Sequence, residues 1–337
     1  MGHAKAAAMK GRGAAGAVAR AAPDRVLEEP AQSLGSEPSA AQGARAGAFA
    51  LTDPPILRSG AVFSSPHSGR AYSEAFIRAA RLDPMRLRAS EDAFVDLLFA
   101  AAARQGAPML AAVAPRAFVD LNRCPQDLDP ALLEGAARKP INARVAAGLG
   151  VVPRIVAEGV PIYDGKLPIA EAEARIAAWH APYHEALASL LLRARRRFGR
   201  ALLLDCHSMP SGASGGRRRA APADVVLGDR FGVSAEPHFV DAIEAAFTEA
   251  GFRVERNSPF AGGYITERFG RPRAGVSAVQ IELDRGLYLD AETIAPSPRF
   301  AEIVERLEPV IAAICAMIDE ATLAESDSAA PDSLAAE

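Results

Sequence analysis

Apolar residues along this chain fall into short, nearly continuous runs and into longer stretches with helical spacing. The short runs predict strands at Gly60–Phe63, Ala117–Leu121, Ala201–Leu204, Asp224–Leu227, Phe252–Glu255 and Ser277–Leu283. Most do not alternate with polar residues, as expected of strands covered on both faces. The helical spacing predicts helices over Ala170 to Phe198, Pro237–Ala250 and Pro298–Ala321, the first kinked by Pro182. Another is predicted after Ser90. That serine suits an N-cap, Glu91 and Asp92 fill a first turn where carboxylates favour the helix dipole, and Phe94, Leu97, Leu98 and Ala101 make an apolar stripe. Between Cys124 and Leu167 the pattern fades into Pro, Gly and Asp, and a loop of that length is usually functional or a lid. Strands alternating with helices predict an α/β sheet.

Composition bounds the rest. Residues 1–47, rich in Ala, Gly, Ser and Pro, and residues 325–337 are expected to be low-complexity, disordered tails around one folded domain at 48–324. The first segment lacks the apolar core of a secretory signal, and no stretch is apolar enough to span a bilayer. A net charge of -3 gives no hint of a nucleic-acid or membrane partner. The three cysteines, Cys124, Cys206 and Cys315, are widely spaced without a CxxC pair, which argues against a disulfide framework and for a reducing, cytoplasmic setting. The arginine-rich runs 193–200 and 217–219 have little aromatic interleaving and read as solvated surface.

The chemistry-bearing residues follow predicted strands, where a sheet enzyme keeps its site. His67 lies in Ser-Ser-Pro-His-Ser-Gly (64–69), and His207 in Asp-Cys-His-Ser-Met-Pro (205–210). Each alone reads as a hydrogen-bonded structural histidine; together, in small-residue turns, they suit a catalytic Zn²⁺ that needs neutral imidazole, a carboxylate and an open position. Asp92 is the candidate carboxylate, with Glu91 and Asp96 as competitors. Glu282 ends an apolar strand, where a carboxylate is costly unless it faces a polar cavity. It is read either as a salt-bridge partner of Arg273 or Arg285 or as a general base. Arg123, after Asn122, carries a guanidinium fork suited to a substrate carboxylate, or pairs with Asp120 or Asp127. The rival pair His180 and His184 shares a helix face, but Pro182 lies between them and the Glu of metalloprotease helices is absent, so buried, hydrogen-bonded histidines are expected.

Taken in order, SSPHSG (64–69), SEDAFVDLLF (90–99), RAFVDLNR (116–123), GLGVVPR (148–154), the Tyr163-to-His184 segment, LLLDCHSMP (202–210), DVVLGDRFG (224–232) and 257–290 resemble the N-formylglutamate amidohydrolase family. The resemblance covers nearly all of the chain between the tails. It implies a single α/β domain with a mixed, mainly parallel sheet flanked by helices, like that of zinc carboxypeptidases and of the aspartoacylase and succinylglutamate desuccinylase enzymes. It also implies metal-dependent hydrolysis of a small N-acyl amino acid, N-formyl-L-glutamate foremost, within histidine degradation. Carried over, His67 and His207 are metal ligands for one Zn²⁺ or another divalent ion, and Glu282 is the general base or acid. Asn122 and Arg123 grip the substrate carboxylate, with Tyr264 and Arg273 as further substrate-binding candidates. The carboxypeptidase pattern has a ligand Glu three residues after the first His, where this chain has Arg70; Asp92 therefore takes that role by inference.

Overall fold

The computed structural model describes residues 47–137, 141–156, 159–214 and 222–319. The predicted tails lie outside them, apart from Gly47. The central sheet has seven strands: β1 (Phe49–Thr52), β2 (Ala61–Ser65), β3 (Met109–Ala112), β4 (Ala201–Met209), β5 (Val225–Gly228), β6 (Val254–Arg256) and β7 (Val276–Asp284). Their order is β1-β3-β2-β4-β7-β5-β6. β1 on β3 and β5 on β7 run antiparallel, and every other neighbouring pair is parallel. The principal helices are α1 (Ala181–Phe198), α2 (Pro237–Glu249), α3 (Tyr264–Phe269) and α4 (Phe300–Ala316).

The two-residue period of the strands sorts their side chains onto two faces. Phe63, Leu202, Leu204, Cys206, Val279, Ile281 and Leu283 pack with α2 and α4 in one core. Val62, Leu203 and Ala278 face the other way, onto Tyr183, Leu187, Leu190 and Leu191 of α1. Continuing along that second face, the alternation brings Ser64 on β2, Asp205 and His207 on β4, and Gln280 and Glu282 on β7. The face is apolar where the parallel strands begin and polar where they end. A site at the carboxyl ends of the strands follows from that switch.

Two expectations need correction. Ala117–Leu121 is no strand: Phe118 and Val119 bond back to the Pro115 carbonyl and Asp120 N bonds to Val151 O, so its apolar residues pack on the core from beside the sheet. No helix starts at Ser90, which closes a short turn; Glu91 is extended, Phe94 is left-handed (φ 63°), and helix is confined to two single turns, Val95–Leu98 and Ala101–Arg104. Asp92 N donates to His67 O at 2.9 Å, and that tie holds the segment straight. The edge strand β1, mostly exposed, and the short β3 carry no signal that the pattern reading detected.

The long helix is present in three parts, Ile169–Arg175, a π-helical turn Ile176–His180, and α1. The wider turn precedes Pro182, which has no N–H to donate and would crowd an unbroken helix. The loop after Cys124 holds the short helix Ala143–Ala146 and a two-residue strand pair, with its own small core around Leu132, Leu133, Val152 and Ile162. Among the described residues no helix is long and apolar enough to cross a membrane.

Candidate active site

His67 sits in the turn after β2, and the turn lies close against the chain after β3. A Cβ on Gly69 would stand 2.0 Å from the Ala114 carbonyl oxygen, so only glycine permits that approach. His207 belongs to β4 and pairs in register with Glu282 of β7. Asp92 enters from the extended segment and completes the group. His67 Nδ1 lies 3.3 Å and His207 Nδ1 2.9 Å from the same Asp92 Oδ2. The two imidazoles meet edge to face with centroids 4.7 Å apart. All three residues are buried, on the floor of a cavity of about 550 Å³ that Asn122, Arg123, Gln280 and Glu282 also line.

Each imidazole is held from behind by another carboxylate. His67 Nε2 is 2.7 Å from Asp120 Oδ1, and His207 Nε2 is 3.0 Å from Asp205 Oδ2. Asp120 is itself fixed by Arg116 Nε at 3.0 Å and by Asn122 N at 2.9 Å. Arg285 donates to the far oxygen of Asp92, Oδ1, at 2.8 Å and to Ser208 Oγ at 3.1 Å.

Burial disfavours an ionised Asp92, yet the hydrogen bonds from His207 and His67 and the charges of His67 and Arg285 outweigh it and hold the carboxyl well below its usual range. Asp120 is likewise held low, against burial, by His67, Arg123 and Arg116. Glu282 behaves differently. Burial pushes it up to about 7, against the lowering influence of His207, and the Asp92 charge adds to the rise. Among the described residues its one hydrogen bond comes from Gln280 Nε2 at 2.7 Å.

The donor set fits a divalent cation. His67, Asp92 and His207 each offer one ligand atom, all within 4.8 Å of one another. A proton on Nε2, shared with the carboxylate behind the ring, would free each Nδ1 from its hydrogen bond to Asp92 Oδ2 to act as a metal ligand. Nitrogen and oxygen donors of this kind suit Zn²⁺ and accept other divalent metals.

The competitors for the third ligand are engaged elsewhere. Glu91 binds Arg88 and Tyr72, and Asp96 forms a two-pronged pair with Arg70 at 3.0 Å on each prong. Of the three candidates, Asp92 is the one whose carboxylate lies between the two Nδ1 atoms. Asn122 lines the cavity, but its amide is occupied: Oδ1 accepts from Ile265 N at 2.7 Å, and Nδ2 lies 3.2 Å from Asp205 Oδ2 and 3.0 Å from His207 Nε2. Arg123 lines the cavity with its Nε on Leu149 O and Nη1 on Asn122 O. Tyr264 packs against His180 and His184 and is not among the lining residues. Arg273 is exposed in the turn Pro272–Ala274, before the first residue of β7 and so at the opposite end of the strand from Glu282. Neither the paired role with Glu282 nor the substrate-binding role expected of Arg273 fits that position. Arg285, the other expected partner of Glu282, goes to Asp92 instead. His180 and His184 are buried and bonded through Nε2 to the carbonyls of Arg123 and Leu121. Sequence reasoning missed Asp120, Asp205, Gln280 and Arg285 as site residues, although each stands within a stretch that carries the resemblance.

The N-formylglutamate amidohydrolase family model matches residues 59–289. The chain is 34% identical over 254 residues to the N-formylglutamate deformylase of Pseudomonas aeruginosa, covering 74% of this chain and 89% of that one. Against the N-formylglutamate deformylase of Pseudomonas putida it is 32% identical over 233 residues, or 68% and 81% of the two chains. Among solved structures, the N-formylglutamate amidohydrolase from Ralstonia eutropha JMP134 superposes with a TM-score of 0.76 at 37% identity, covering 81% of this chain and 98% of that chain.

Proposed function

This chain belongs to the N-formylglutamate amidohydrolase family and is a hydrolase acting on an amide, and on that premise we propose that it cleaves N-formyl-L-glutamate to formate and L-glutamate with a divalent metal, Zn²⁺ foremost, held by His67, Asp92 and His207. The observation that carries the metal reading is the convergence of both Nδ1 atoms on Asp92 Oδ2, with each Nε2 tied to a carboxylate. When bound, the cation supplies Lewis acidity, which polarises an acyl carbonyl and acidifies water.

The chain's own residues do the rest. Glu282 stands beside His207 in register, takes the proton of the attacking water, and returns it to the departing nitrogen. Gln280 fixes one oxygen of Glu282 and leaves the other for that exchange. Arg123 binds the carboxylate of the amino acid, so that the scissile bond is presented in one orientation. Asn122 acts by holding His207, Asp205 and the start of α3 together. The catalytic unit spans 48–324. A cytoplasmic place in histidine degradation belongs to the same reading, supported by free thiols at Cys124, Cys206 and Cys315.

Two assays test the proposal. In a panel of N-formyl, N-acetyl and N-succinyl amino acids, the highest kcat/KM is expected for N-formyl-L-glutamate; a preference for another acyl group or amino acid would redirect the substrate while leaving the amidohydrolase. Glu282→Gln is expected to lower kcat by about 10²–10⁴ with its metal content unchanged. A near-normal kcat in that variant contradicts the role of Glu282.

A further inference from the structure

Arg144 is the cation of the cavity wall that the proposed reaction does not use. It lies in the short helix Ala143–Ala146, exposed, and lines the same cavity as Arg123. Among the described residues it makes no ion pair or side-chain hydrogen bond. The helix is nevertheless fastened beside Arg123. Asn142 caps it through Val145 N at 2.9 Å and donates to Asp127 Oδ1 at 2.9 Å. The Arg144 carbonyl accepts from Leu149 N at 2.9 Å, and the Leu149 carbonyl accepts from Arg123 Nε at 3.0 Å. One residue thus joins the backbone of Arg144 to the guanidinium of Arg123.

Holding two guanidinium groups on one wall is unfavourable unless an anion lies between or beside them. Arg123 registers the cost: burial first, and then the charges of Arg116 and Arg144, hold it below its ordinary value despite Asp120. Arg116 is committed through Nε to Asp120, whereas Arg144 is uncommitted and at the mouth. A substrate with one carboxylate leaves one of the two wall cations unmatched. A substrate with two matches both.

We infer that Arg144 is a specificity-determining residue: with Arg123 on the α-carboxylate, the Arg144 guanidinium takes the side-chain carboxylate and restricts the site to N-acyl derivatives of dicarboxylic amino acids. The inference rests on the proposed amidohydrolase function and adds the residue that reads the side chain. A guanidinium fork gives two parallel hydrogen bonds to a carboxylate, which a neutral amide cannot match.

The test compares N-formyl-L-glutamate with N-formyl-L-glutamine, its nearly isosteric neutral analogue, on the metal-loaded full chain and on Arg144→Gln and Arg144→Glu. Arg144→Gln is expected to lose about tenfold or more in kcat/KM on the glutamate substrate, mainly through KM, as one charge-assisted contact is removed. On the glutamine substrate it should stay within about twofold of wild type. Arg144→Glu is expected to lose more on glutamate than Arg144→Gln does. Because the side chain is exposed and unpaired, neither change disturbs the core, and thermal melts that overlay wild type confirm it. Equal losses on both substrates, or a wild type that does not prefer glutamate, overturn the inference while the amidohydrolase stands. A wild type that hydrolyses neither substrate overturns the proposed function, and the inference with it.

Discussion

Asp120 and Asp205 never touch a substrate in the proposed reaction, yet they decide what His67 and His207 can do. Asp120 meets His67 Nε2 at 2.7 Å and Asp205 meets His207 Nε2 at 3.0 Å, contacts that fix the angle at which each ring turns Nδ1 inward. Asp120→Asn replaces an acceptor-only group with an amide that can present its NH₂ to the ring, favouring the wrong tautomer. Its expected effect is a 10–100-fold weaker metal affinity, measured by competition with a chromogenic chelator. Unchanged affinity would mean that the ring is held by its burial alone. At this scale the sequence was informative where chemistry conflicts with surroundings: a histidine in a small-residue turn, or Glu282 at the end of an apolar run. It was silent on direction. Arg273 and Arg285 flank the same strand and look equivalent in the sequence, but nine residues of extended chain separate the exposed turn from the site. Arg144 carries no motif at all, and only the fold brings it to the cavity.

At the scale of elements, the irregular segment 116–123, which contains the mispredicted strand 117–121, depends on side chains to satisfy its backbone. Its carbonyls at Leu121 and Arg123 are taken by His184 and His180 of the long helix, which fills the place of a sheet partner. Burial pushes the His184 imidazole down from its ordinary 6.5 to about 3, with the nearby His180 adding to the shift. The unfolded chain therefore takes up this proton first as pH falls. The stability that follows from a neutral, buried His184 is complete above about pH 6.5 and is lost progressively toward pH 3, by about 1.4 kcal/mol per pH unit at most. His184→Gln keeps a donor for Leu121 and removes the titration. Urea midpoints measured against pH should fall more steeply for wild type than for the variant between those limits. Parallel curves would show that His184 is not buried in neutral form. The strands β4 and β7 were legible because their central positions are apolar on both faces; β1 was not, since an exposed edge strand needs no apolar pattern.

For the whole molecule, the alternation of strands and helices was enough to indicate an α/β sheet, and the order of motifs was enough to indicate the family. Strand order and the antiparallel placement of β5 against β7 were not, because pairing between strands far apart in sequence leaves no local trace. The same topology sets β2, β4 and β7 side by side, and their polar ends gather two imidazoles and a general-base candidate over one floor. Whether this floor holds a catalytic metal is tested most directly by the metal content of the purified protein, for wild type, His67→Ala and His207→Ala, with N-formyl-L-glutamate hydrolysis assayed on the same samples. About one divalent ion per chain is expected in wild type, lost together with activity in both variants. A wild type that binds no divalent metal and hydrolyses the substrate equally well with or without chelator would contradict a metal-dependent mechanism at this site.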